Sequence, residues 1–114
     1  LGRLPITVLK PNGPLFFGSV ENLLRSYSSA SDHEMLIIDM GNITMIDISG
    51  IYALEDLINN AKNNKIKVIV SNASESIKKI LNKVNFINNI GIECYKDSKD
   101  SVTLYVLQHY NLQH

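Results

Sequence analysis

In Asp47-Ile48-Ser49-Gly50 a carboxylate, a hydroxyl and a glycine fall within four positions, where an apolar run gives way to a helical pattern. A small hydroxyl residue at the mouth of a helix sets exposed backbone N–H groups beside a side chain that can accept or carry negative charge. Two readings of Ser49 follow. It can cap the helix, as serine does in many proteins. It can also accept a phosphate. No Glu or Gln stands three residues later to complete a capping box, Tyr52 being there instead, and no acid in the first turn offsets the positive helix end. A phosphate on Ser49 would be stabilised by that end and repelled by Asp47.

Other chemistries find less support. Asp39 and Asp47 each follow an apolar strand-like segment, so a carboxylate pair for acid–base work is conceivable. A Mg²⁺-dependent aspartyl-phosphate site would want adjacent acids after one strand and a lysine beyond another; Ser71-Asn72-Ala73 follows the later strand instead. His33, His109 and His114 have no Cys, Asp or Glu at ligand spacing, so no metal site and no cofactor are expected. Ser49 does not sit in a Gly-x-Ser-x-Gly elbow. There is neither a Gly-x-Gly-x-x-Gly nor a phosphate-loop lysine, which leaves a nucleotide only weak binding at the helix mouth. Cys94 is the lone cysteine, which excludes an internal disulfide and fits a reducing compartment; it reads as a buried, inert thiol.

The 114 residues suit one domain spanning 1–114, and the 45% apolar and 19% charged fractions are those of a globular chain. The formal net charge of +0, with dispersed lysines, gives no electrostatic footprint for nucleic acid. No apolar run approaches the roughly 18 residues of a membrane span. The first residue is Leu1 rather than Met, as expected of a piece excised from a longer protein.

The elements that must position the motif read as β-β-α-β-α-β-α-β-α. Leu4 to Lys10 is a strand, Pro11-Asn12-Gly13-Pro14 a tight turn and Leu15-Phe16-Phe17 a second strand, so the chain is expected to open with a β-hairpin. Ser19 would cap the first helix, with Glu21 in its first turn and Val20, Leu23, Leu24 and Tyr27 on its inner face. Met35 to Met40 suits a central strand covered on both faces, and Thr44 to Asp47 is extended. The next helix turns Ile51, Leu54, Leu57, Ile58 and Ala61 inward and stops at Asn63-Asn64. Ile66 to Val70 is a further buried strand. Ser74 caps a third helix with Ile77, Ile80, Leu81 and Val84 inward, and apolar content continues to Gly91. Ile92 to Tyr95 reads as a short strand and Lys99 to about His109 as a last helix. This alternation predicts an α/β fold with a small, mainly parallel sheet and helices packed against it, its sites lying beyond the carboxyl ends of the strands.

The chain resembles a STAS domain, the module shared by bacterial anti-sigma-factor antagonists and the cytoplasmic tails of SulP-type anion transporters. Asp47-Ile48-Ser49-Gly50 is similar to the Asp-x-Ser/Thr-Gly signature that opens the family's second helix, and Leu36-Ile37-Ile38-Asp39 followed by Ile46-Asp47 resembles the strand–loop pattern before it. Asn12 to Ser19 resembles the Gly-Pro-Leu-aromatic-Phe segment of SulP tails, and Ile51 to Leu57 is also SulP-like. The resemblance implies a STAS-type fold and a non-catalytic regulatory module of a sulfate-type anion transporter. It would sit at the cytoplasmic face of the plasma membrane, against the transmembrane region of its own parent or a soluble cytoplasmic protein. The contact region implied is Asn42, Thr44, Asp47, Gly50 and Tyr52 around Ser49. In antagonists the signature serine is phosphorylated by the partner kinase, so the alternative is a switch controlled through Ser49. A small enzyme of flavodoxin or response-regulator type is a third reading. The absence of a long insertion between the first helix and the next strand points to a bacterial parent.

Overall fold

The computed structural model describes residues 6–29, 35–97, 103–104 and 106–108, the side chains of 26–29 excepted. Six strands and four main helices follow one another: β1 (Ile6–Leu9), β2 (Gly13–Leu15), α1 (Phe17–Ser29), β3 (Met35–Asp39), β4 (Ile43–Ile46), α2 (Ile48–Asn63), β5 (Lys67–Ser71), α3 (Glu75–Lys83), α4 (Phe86–Ile90) and β6 (Tyr95–Lys96), with a 3-10 turn at Ile92–Cys94. Residues 103–104 and 106–108 are helical. Tyr27's side chain, the remainder of the expected Lys99–His109 helix and the three histidines lie outside the described residues.

The main sheet runs β1-β3-β5-β6, every pairing parallel. Each new strand is added on the same side of the last, so right-handed crossovers carry α1 to α4 to one face. Burial agrees. Leu36 and Ile38 of β3, Met40 just beyond it, and Val68 and Val70 of β5 share one core with Val20, Leu54, Ile58, Leu81 and Phe86 from the helices. α2 is the central helix, and its buried stripe of Ile51, Leu54, Leu57, Ile58 and Ala61 is the one its apolar spacing predicts.

The opening hairpin does not form. β1 pairs with β3, whereas β2 leaves the main sheet and pairs in parallel with β4, Leu15 opposite Ile46. Gly13 does take the positive φ, +80°, that the Asn-Gly turn predicts. Pro11 and Pro14 supply no N–H to an antiparallel ladder, and Pro14 is tolerated where it sits, at an irregular step of a short two-stranded pair. The turn therefore redirects the chain instead of reversing it.

Three smaller corrections have local causes. α1 starts at Phe17, two residues before Ser19, and Glu21 falls beyond its first turn. Ser19 still serves the helix end from inside: its Oγ accepts from the Phe16 N–H at 3.3 Å and donates to the Pro14 carbonyl at 3.2 Å. The third helical region breaks at Asn85, whose φ of +56° separates α3 from α4. Ile92 to Cys94 coils as a 3-10 turn, leaving only Tyr95 and Lys96 to pair with β5.

Candidate functional site

β2 and β4 end side by side, so the residues that follow each strand emerge from neighbouring points: Phe16 and Phe17 on one, Asp47 and Ile48 on the other. α2 begins there. Asp47, with extended backbone, is its N-cap. Asp47 Oδ1 accepts from the Gly50 N–H at 2.7 Å and from the Ser49 hydroxyl at 2.9 Å. The expectation that Ser49 caps the helix is thereby corrected. A carboxylate two residues earlier has the reach to the third helical amide, and the serine hydroxyl donates to that carboxylate rather than accepting from backbone. Ser49 is exposed in the first turn, and the amides of Ile48 and Ser49 meet no acceptor among the described residues.

The rest of the predicted contact region divides. Asn42 is exposed in the turn before β4, and its carbonyl accepts from the Gly13 N–H at 2.9 Å, tying β2 to β4. Thr44 lies exposed within β4 rather than in a loop. Tyr52 is 52% exposed. It follows Ile48 by four residues and so shares its helix face. Gly50 is buried and cannot touch a partner. A Cβ on it would stand 2.4 Å from the Leu15 carbonyl oxygen, so this glycine lets α2 close on β2.

Apart from Tyr52, the sequence did not single out the apolar surroundings. Phe16, Phe17, Met45, Ile48 and Tyr52 are all exposed and leave from the strand ends and first turns beside Ser49. Phe17 also walls a groove of about 340 Å³ between α1 and α2, floored by Val20, Ala53 and Leu57 and rimmed by Glu21 and Asp56. The signal was present in Phe16-Phe17 and Ile48, but assigning Phe16 and Phe17 to a strand gave them a buried face that they do not have.

Asp39 does not join Asp47 in an acid–base pair. Its buried carboxylate accepts from the Gly41 N–H at 2.9 Å and from Asn72 Nδ2 at 3.2 Å, which ties together the loops after β3 and β5. That is a structural use of a buried carboxyl group. Cys94 is buried, and its burial pushes the thiol pKa up, the direction that makes a thiol unreactive. Among the described residues no three His, Cys, Asp or Glu side chains gather as metal ligands, and no helix is long and apolar enough to cross a membrane.

Comparison with known proteins bears on this arrangement. The STAS domain family model matches residues 2–101. Sulfate transporter 3.2 of Arabidopsis thaliana is 28% identical over 105 residues, a match covering 80% of this chain and 16% of the relative. The chain spans less than a fifth of the length of the curated relatives it matches. The SulP transporter STAS domain from Vibrio cholerae superposes with a TM-score of 0.78 at 25% identity, over 97% of this chain and 88% of that one. A sulfate transporter family protein from Wolinella succinogenes shares the fold, with a TM-score of 0.80 at 24% identity over 92% and 87% of the two chains. With its parallel sheet, its carboxylate-capped central helix and a family match across almost its whole length, the chain belongs to the STAS domain family and resembles the STAS domains of SulP-type sulfate and anion transporters.

Proposed function

We propose that this chain is a non-catalytic regulatory and interaction module of a SulP-family anion transporter, working at the cytoplasmic face of the membrane. Its working surface is the one around Ser49, and its partners are the transmembrane region of its own parent and a soluble cytoplasmic protein. The observation that carries this reading is the set of exposed apolar side chains, Phe16, Phe17, Met45, Ile48 and Tyr52, on the strand and helix ends near an exposed hydroxyl. A patch of that kind on a chain with a complete core of its own is a surface for binding. The chemistry nearby is spent on structure, since Asp47 holds the helix cap and Asp39 a loop junction. A nucleotide phosphate at this helix end would be repelled by the Asp47 carboxylate, which already holds the Gly50 amide, and this argues against more than weak nucleotide binding.

The test uses the full-length transporter carrying Ile48→Asp or Tyr52→Ala. Both positions are exposed, so the chain itself should melt within a few degrees of wild type while anion uptake per molecule changes several-fold. Unchanged uptake in both variants would remove this surface from the mechanism.

A second reading, a phosphorylation switch at Ser49, draws on the same geometry. The hydroxyl is accessible to a kinase, and the unpartnered Ile48 and Ser49 amides are the groups that would receive a phosphate. Intact-mass analysis of the parent protein from cells decides it: a phosphorylated fraction that Ser49→Ala abolishes supports the switch, and none under any growth condition leaves Ser49 as a partner of Asp47.

A further inference from the structure

At the opposite end of α2 three lysines, Lys62, Lys65 and Lys67, lie close together in the chain. α2 stops at Asn63, the chain turns through Lys65, and β5 starts at Lys67. The 3-10 turn at Ile92–Cys94 approaches from the other side. Between these segments lies a cavity of about 250 Å³ walled by Lys62, Lys65, Lys67 and Glu93, with Val68 and Cys94 among its apolar lining. The lining thus carries three lysines against one glutamate.

Lysines near a helix C-terminus ordinarily serve its unpaired carbonyls. Here the backbone has already done so. The Asn60, Ala61 and Lys62 carbonyls accept from the N–H groups of Asn64, Lys65 and Ile66. Lys62 Nζ reaches instead across to the Ile90 carbonyl at 2.6 Å, which fixes that ammonium at the cavity wall with donors to spare. The Lys65 and Lys67 side chains make no ion pair or hydrogen bond among the described residues. Lys65 also holds φ at +64°, a left-handed conformation that glycine or asparagine adopts at less steric cost. Lysine at such a corner, lining a cavity, is a strained choice that brings charge.

We propose that this cavity binds a phosphate- or sulfate-type oxyanion. Lys62 is the fixed donor, Lys65 and Lys67 close on the anion from the α2–β5 corner, and Val68 and Cys94 take whatever apolar part the anion carries. The anion is either free in solution or the headgroup of an acidic lipid; the chemistry recognised is the same. The site lies at the far end of α2 from Ser49 and stands independently of the regulatory role proposed there.

The test is a solution NMR titration of the chain with sodium phosphate and with sodium sulfate, at ionic strength held constant with chloride. A second arm sediments the chain with phosphatidylglycerol vesicles and with phosphatidylcholine vesicles. Saturable amide shifts confined to residues 62–68 and 90–94 are expected. Lys65→Asn and Lys67→Gln should each weaken binding about tenfold, the loss expected for one hydrogen bond to a charged group. Asparagine is at ease with the backbone of position 65, so Lys65→Asn separates the loss of charge from a loss of fold. Lys79→Gln, on the exposed face of α3, should bind as wild type does. Shifts with the soluble anions identify a free ligand, and sedimentation with phosphatidylglycerol alone identifies a headgroup; either supports the site. Absence of saturable binding in both arms, wild-type affinity in both corner variants, or an equal loss in Lys79→Gln overturns it.

Discussion

A single carboxylate organises the signature, and the hydroxyl beside it depends on that carboxylate. Asp47 Oδ1 holds both the Gly50 amide and the Ser49 hydroxyl, so Asp47→Ala removes an N-cap and frees the serine. It should cost about 1 kcal/mol in urea unfolding. Ser49→Ala, which deletes only an exposed donor, should cost about 0.5 kcal/mol or less. If Ser49→Ala proves the more damaging, Asp47 is not the cap that matters. Gly50 obeys a harder constraint. Its added Cβ would meet backbone, the Leu15 carbonyl oxygen at 2.4 Å, and backbone cannot swing aside as a side chain can. Gly50→Ala should cost about 1–3 kcal/mol through overpacking, read as a drop in melting temperature. Wild-type stability in that variant would show that α2 and β2 can separate without penalty. The Asp and Gly of the motif are thus explained by the fold, and Ser49 is the member whose side chain remains accessible.

At the level of elements, α2 was legible in the sequence because all its signals agree: apolar spacing, an acceptor at its start and a pair of asparagines at its end. Leu54 lies at its buried centre with no exposed surface, and Leu54→Ala should cost about 2–5 kcal/mol in denaturant unfolding. A cost below about 1 kcal/mol would mean that the core collapses into the space. The β1–β2 turn misled because local chemistry specifies a bend and not a partner. Asn12-Gly13 does bend the chain at a positive φ, but which strand receives β2 is decided thirty residues later, when Ile43–Ile46 offers a parallel edge and the Asn42 carbonyl takes the Gly13 amide. The same limit explains Phe16 and Phe17. Their types suit a strand, and only the early start of α1 turns them outward beside Ser49. The lysine corner was hidden for a related reason: Lys62, Lys65 and Lys67 line one cavity with Glu93 and Cys94 only because β5 and the 3-10 turn meet at one end of the sheet.

Across the whole molecule, α2 separates two surfaces of different character. Its sixteen residues span roughly 24 Å at 1.5 Å per residue. Exposed apolar side chains lie near Ser49 at one end and a lysine-lined cavity lies at the other, so each can be occupied without blocking the other. The residues beside that cavity carry a pH dependence of their own. Burial pushes the Cys94 thiol and the Tyr95 phenol above their ordinary pKa values, the Tyr95 shift being opposed by the nearby Lys78 ammonium. The Tyr95 oxygen is buried and has no hydrogen-bond partner among the described residues. Both groups therefore keep their protons in the folded chain at pH values where the unfolded chain has lost them. The unfolded state then binds fewer protons, and the free energy of unfolding falls as pH rises. Stability should be level through neutrality and decline from about pH 9, where free thiols and then phenols begin to ionise. Tyr95→Phe removes an unsatisfied buried hydroxyl and should be neutral or slightly stabilising at pH 7. It should also make the alkaline decline shallower, and urea midpoints from pH 7 to about pH 11 would show it. An unchanged alkaline slope in Tyr95→Phe would mean that the phenol ionises as freely in the folded chain as in the unfolded one, and that its burial carries no electrostatic weight.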